Sequence, residues 1–87
     1  MSRIEQIRVH LAALNPVALE IIDESHKHAG HAGSRDGGGH YLLQIVTTEF
    51  TGKSTLARQR MIYSALGEMM KRDIHALTIQ AKTPAEL

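Results

Sequence analysis

Six histidines, His10, His26, His28, His31, His40 and His75, are the residues of this 87-residue chain best suited to chemistry. Neutral imidazole is a good donor to iron, zinc or copper, and its ordinary titration falls near neutral pH. His26, His28 and His31 follow a His-x-His-x-x-His spacing, but the chain has no cysteine, so the thiolates of a closed structural zinc site are missing. The same absence excludes a disulfide framework, a thiol nucleophile and an iron-sulfur cluster held by this chain's own thiolates. An open site completed by another molecule fits the donor set better. The residues also admit a plainer reading, in which the loop imidazoles are solvated and His75, alternating with Leu77 and Ile79, sits hydrogen-bonded at a core edge.

Other motifs carry less. Gly52-Lys53-Ser54 resembles the end of a phosphate loop, but the earlier glycine that such a loop requires is replaced by Thr47. No Gly-x-Ser-x-Gly elbow is present, and Asp23 and Glu24 fall on opposite sides of a strand, so no catalytic constellation emerges. Between Thr51 and Gly67 the chain holds Lys53, Arg58 and Arg60 and no acid, a local charge of +3. Such a face could approach a phosphate backbone, or simply be solvated. Met61, Met69 and Met70 read as core filler.

The elements that must position these residues follow from periodicity. Ser2 and Glu5 form a capping-box pattern, and Ile4, Ile7, Leu11 and Leu14 recur at helical spacing until Asn15-Pro16 stops them. Val17 to Ser25 alternates as a strand, with Val17, Leu19 and Ile21 on one side. Residues 30–39 hold five of the seven glycines, so a long, mobile loop over 26–39 is expected before a second strand, His40 to Thr48, with Tyr41, Leu43 and Ile45 on one face. A helix runs from near Ser54 to Gly67, with Leu56, Ile62, Tyr63 and Leu66 on the arc that packs on the sheet and Gln59 at its margin. A short helix, Glu68 to Arg72, a last strand, Ile74 to Ala81, and a tail containing Pro84 complete the chain.

The order is therefore α-β-β-α-α-β, an α+β domain spanning residues 1–87. The hairpin is antiparallel, whereas a strand that returns through helices joins its predecessor in parallel. The sheet is thus three-stranded and mixed. That topology gathers His26, His28, His31, His40 and His75 at one sheet edge and leaves His10 elsewhere.

Composition agrees with a small folded domain: 43% of residues are apolar, the net charge is +1, and only Tyr41, Phe50 and Tyr63 are aromatic. A chain this short buries about 60–65% of its unfolded surface. The longest apolar run, Leu11 to Leu14, is far too short to cross a membrane, so a cytoplasmic protein without membrane contact is expected.

Asn15-Pro16 with Leu19, the run Asp23 to His31, Phe50-Thr51-Gly52-Lys53-Ser54, Arg58-Gln59-Arg60, Ile74-His75-Ala76-Leu77 and Ala81-Lys82-Thr83-Pro84 together resemble the BolA family over nearly the whole chain. The resemblance implies a fold like the type II KH domain, with helices packed on one face of the sheet. It also implies a partner, a monothiol glutaredoxin, with which a 2Fe-2S cluster is shared. The ligands are then the glutaredoxin cysteine, a glutathione thiol and histidine from the BolA side, and the pair serves iron-sulfur trafficking or iron sensing. Carried over by position, the ligand is His75 in the His-Ala-Leu segment, with His28 as the loop ligand and His31 as its substitute. No cluster is expected to stay on this chain alone, which is expected to be a monomer or weak homodimer.

Bacterial members of the family are also described as DNA-binding regulators of cell shape and stress response. That alternative points to Lys53, Arg58 and Arg60. Two departures bear on these readings. Many members have Arg-His-Arg where this chain has Arg58-Gln59-Arg60, so no role for a central imidazole transfers. The Gly-x-x-Gly loop with which ordinary KH domains grip nucleic acid is also absent.

Overall fold

The computed structural model describes residues 1–25 and 39–87, so His26, His28 and His31 and the rest of the glycine-rich connection lie outside the described residues. Helix α1 (Arg3–Leu11) continues into a 3-10 turn, Ala12–Leu14, and leads to β1 (Ala18–Asp23). Strand β2 (Gly39–Val46) is followed by a 3-10 turn, Thr48–Phe50, then α2 (Thr55–Leu66), α3 (Met69–Arg72), β3 (Ile74–Lys82) and a last 3-10 turn, Pro84–Glu86.

Local chemistry sets these boundaries. Ser2 and Ser54 cap the two longer helices, each hydroxyl accepting a hydrogen bond at 3.1 Å, from the Glu5 and Ala57 amides respectively. Asn15 ends the first helical segment in the left-handed region (φ 52°), a conformation its short polar side chain tolerates, and that side chain donates to a Glu49 carboxylate oxygen at 2.6 Å. Gly67, at φ 55°, closes α2 where a side chain would be strained.

The strands lie in the order β1-β2-β3, β1 antiparallel and β3 parallel to β2. The expected mixed sheet is therefore present, as is the α-β-β-α-α-β order. Along β2 every second residue is buried: Gly39, Tyr41, Leu43 and Ile45 face the helices. Ile7 and Leu11 of α1 and Ile62 and Leu66 of α2 close over that face, all fully buried with Phe50. Removing this apolar surface from water is the main favourable contribution to folding.

Three expected core positions are instead exposed. Leu56 is 56% exposed, Tyr63 41% and Val17 66%. At about 100° per residue, Tyr63 is rotated about 100° from Ile62 and Leu56 about 120° from it, whereas the buried line of α2 runs through Ile62 and Leu66. Met61 and Ala65, not Leu56 and Tyr63, flank that line against the core. Gln59 is half-buried at the margin, as its wheel position suggested. Val17 precedes β1, outside the strand whose Leu19 and Ile21 join the core.

Candidate functional site

The edge of the sheet where β2 and β3 begin carries the described imidazoles. Gly39 pairs with Ile74 but His40 pairs with Ala76, so β3 advances two residues while β2 advances one. His75 is the extra residue of a β-bulge. Such a bulge shifts the alternation of its strand and re-aims side chains. Ile74 is buried and Leu77 next joins the core, while His75 and Ala76 between them are exposed. Alternation alone had placed His75 in phase with Leu77 and Ile79; the bulge takes it out of that phase.

The rings of His40 and His75 lie 5.0 Å apart between centroids, tilted by 48°. His40 occupies the central strand and is half-buried. Its backbone amide donates to the Ser25 hydroxyl at 3.0 Å, and its carbonyl accepts from the Glu24 amide at 2.7 Å. One residue earlier, the Gly39 amide donates to the Asp73 carbonyl at 2.9 Å, joining the start of β2 to the residue before β3. A Cβ at position 39 would meet the Tyr41 ring, so any larger residue here requires that ring to move. The Ser25 amide in turn donates to the Asp23 carboxylate at 2.9 Å. Three backbone segments, 23–25, 39–40 and 73–75, are thereby tied into one corner.

Among the described residues this corner offers two imidazoles, and no group of three or more His, Cys, Asp or Glu residues there could hold a metal ion. The chemistry of the donor set fits a metal that draws its remaining ligands elsewhere, from residues 26–38 or from another molecule. Of the sequence-predicted ligands, His75 stands exposed at this corner, and His28 and His31 lie outside the described residues. His10 is remote from it, with Nδ1 3.3 Å from the Ala65 carbonyl, where it links α1 to α2.

The three basic residues of the alternative site separate into two kinds. Lys53 and Arg60 are exposed. The Arg58 side chain is only 12% exposed, and its guanidinium makes a double hydrogen bond to the Glu86 carboxylate at 2.7 and 2.9 Å. It also donates to the Ala81 and Lys53 carbonyls, both at 3.0 Å, and stands over the Phe50 ring at 5.8 Å. The hydrogen bonds from Arg58 and from the Thr83 amide hold the Glu86 carboxyl down at about 2. Glu86 raises the Arg58 guanidinium in return. On the opposite side of α2, Leu56, Arg60 and Tyr63 recur at i, i+4 and i+7 and form one exposed stripe.

Sequence reasoning put His40 at the right edge but did not pair it with His75, because a bulge between parallel strands leaves no mark in residue alternation. The Arg58-Glu86 contact was missed as well. Thr83-x-x-Glu86 is a capping-box pattern that could have flagged the turn, in which both reciprocal bonds form.

Residues 11–86 match the family described as BolA-like protein. Among curated relatives, SufE-like protein 1, chloroplastic/mitochondrial, of Arabidopsis thaliana is 49% identical over 79 residues, covering 85% of this chain and 21% of that protein. BolA-like protein 1 of Mus musculus is 45% identical over 74 residues, covering 85% of this chain and 52% of the relative. The chain thus spans about a fifth of the first and half of the second. The DNA-binding transcriptional regulator BolA of Escherichia coli K12 is 43% identical over 75 residues, with 86% of this chain and 69% of the relative covered. Among solved structures, the BolA domain of SufE1 from Arabidopsis thaliana superposes with a TM-score of 0.87 at 46% identity, covering 100% of this chain and 98% of that one.

Proposed function

The chain belongs to the BolA-like protein family, and from that premise we propose that it is a non-catalytic binding module that shares a 2Fe-2S cluster with a monothiol glutaredoxin and glutathione. The observation that carries this reading is the exposed His75 imidazole, set by a bulge at the mouth of the histidine-rich connection and lying against a second imidazole. His75 holds the iron from β3, with His28 as the loop ligand and His31 as its substitute. The thiolates come from the glutaredoxin and from glutathione, since this chain has no cysteine to supply one. An imidazole in place of a thiolate raises the potential of a 2Fe-2S centre. The chain's own residues contribute the rest: the helix-covered core holds β2 and β3 in register, and the corner hydrogen bonds fix where His75 starts from. The role that follows is cluster trafficking or iron sensing.

Anaerobic titration with a monothiol glutaredoxin carrying its glutathione-ligated cluster tests the proposal. A one-to-one heterodimer with altered visible absorption and circular dichroism is expected. An unchanged spectrum at saturating protein, with no heterodimer on gel filtration, contradicts it. Comparing His28→Ala with His31→Ala in the same titration assigns the loop ligand.

A second reading, DNA binding, is supported by the regulator from Escherichia coli and by the exposed stripe that places Tyr63 beside Arg60, with Lys53 at the head of the helix. Affinity for duplex DNA should then fall steeply with salt, because each phosphate contact releases counterions. Charge reversal at Lys53 and Arg60 should abolish it. Arg58 belongs to the same sequence cluster, but reversing its charge also breaks its contact with Glu86, so it is the poorer probe.

A further inference from the structure

We propose that His40 is a positioning residue for the His75 imidazole, an inference that rests on the reading of His75 as an iron ligand. Left to itself, an exposed side chain at a sheet edge exchanges rotamers within nanoseconds. Three features of this corner oppose that freedom. The bulge makes His75 the extra residue opposite the step from Gly39 to His40, which brings its ring to His40 instead of along the buried face. The two rings then pack at 5.0 Å and 48°, inside the separation at which planar rings attract one another. Finally, the backbone that carries the His40 ring is itself tied down, because it lies on the central strand with its amide donating to the Ser25 hydroxyl and its carbonyl accepting from the Glu24 amide. The Gly39 amide on the Asp73 carbonyl joins the backbones that carry the two rings.

The consequence is a ligand ordered before it meets its metal. Immobilising a side chain on binding costs about two- to ten-fold in affinity, so prior ordering by His40 returns a factor of that size. Because the contribution is packing of one flat ring on another, a phenyl ring at position 40 should serve nearly as well as an imidazole, and a methyl group should not.

The test uses the full chain as wild type, His40→Ala, His40→Phe and His75→Ala, with backbone amide spectra reporting the fold of each. In the chain alone, three-bond couplings of His75 should report a single χ1 rotamer in wild type and His40→Phe, and averaging in His40→Ala. In titrations with the glutaredoxin-glutathione cluster, His40→Ala should bind about two- to ten-fold more weakly and change the visible circular dichroism. His40→Phe should stay within two-fold of wild type. A His40→Ala variant that matches wild type in both readouts overturns the inference, as does a His40→Phe variant that behaves like His40→Ala. Should His40→Ala not fold, averaged His75 couplings in the wild-type chain overturn it equally. If His75→Ala leaves the cluster spectrum unchanged, the ligand reading fails, while the couplings still decide whether His40 orders His75.

Discussion

At the C-terminal end of β3, Arg58 is bound to Glu86 and to the Ala81 carbonyl, and the buried Thr47 hydroxyl donates to the Leu14 carbonyl at 2.8 Å and accepts from the Glu49 amide at 3.1 Å. At the N-terminal end of the same strand, backbone amides bound to carbonyls and to the Ser25 and Asp23 side chains tie the corner together, but the His75 side chain is left exposed. One end uses polar side chains to hold the chain to itself. The other ties down the backbone and leaves the His75 side chain exposed. Side-chain type does not distinguish these uses: Arg58 and Arg60 are two residues apart, yet one is a structural strut and the other an exposed cation.

If the comparison is right, substitutions at the C-terminal end damage stability, and those at the N-terminal end damage binding. The largest loss should come from Phe50→Ala, which empties a fully buried site beneath the Arg58 guanidinium. Denaturant unfolding should show about 3–5 kcal/mol of destabilisation. Thr47→Val keeps the shape but strands the Leu14 carbonyl and the Glu49 amide, at a cost of about 1–3 kcal/mol by the same measurement.

Glu86→Gln should lower the unfolding midpoint in a pH-dependent way. The Glu86 carboxyl is held at about 2, below its ordinary 4.5, so the stability it contributes is complete above 4.5 and is lost as pH falls from about 4.5 toward 2. Thermal scans of wild type and Glu86→Gln should therefore differ at pH 7 and converge near pH 2. A constant difference across that window would mean that the ion pair is not what holds the turn. Arg58→Ala should lower the midpoint too, whereas the exposed Arg60→Ala should stay within about 0.5 kcal/mol of wild type. An equally small stability effect is expected at the other end: His75→Ala should also remain within about 0.5 kcal/mol, since its side chain is exposed.

Local patterns explain why so much of the fold was legible. The spacing of Ile4, Ile7, Leu11 and Leu14, the alternation of Tyr41, Leu43 and Ile45, and the stops at Asn15 and Gly67 each depend on near neighbours in the chain. The return of the chain through two helices then pointed to the parallel pairing of β2 and β3. What the sequence concealed is non-local. Whether Leu56 or Ala65 faces the core depends on how α2 is rotated against α1 and the sheet, and the hydrophobic arc of α2 is too weak to decide it. The Arg58-Glu86 contact joins residues 28 positions apart, and the phase of His75 depends on a bulge defined by a different strand.

The most direct measurement is the visible circular dichroism of His75→Ala mixed anaerobically with a cluster-loaded monothiol glutaredoxin and glutathione. Loss of the heterodimer's altered spectrum, with the variant as stable as wild type, is the predicted result. A wild-type spectrum from the folded variant would contradict the assignment of iron binding to His75.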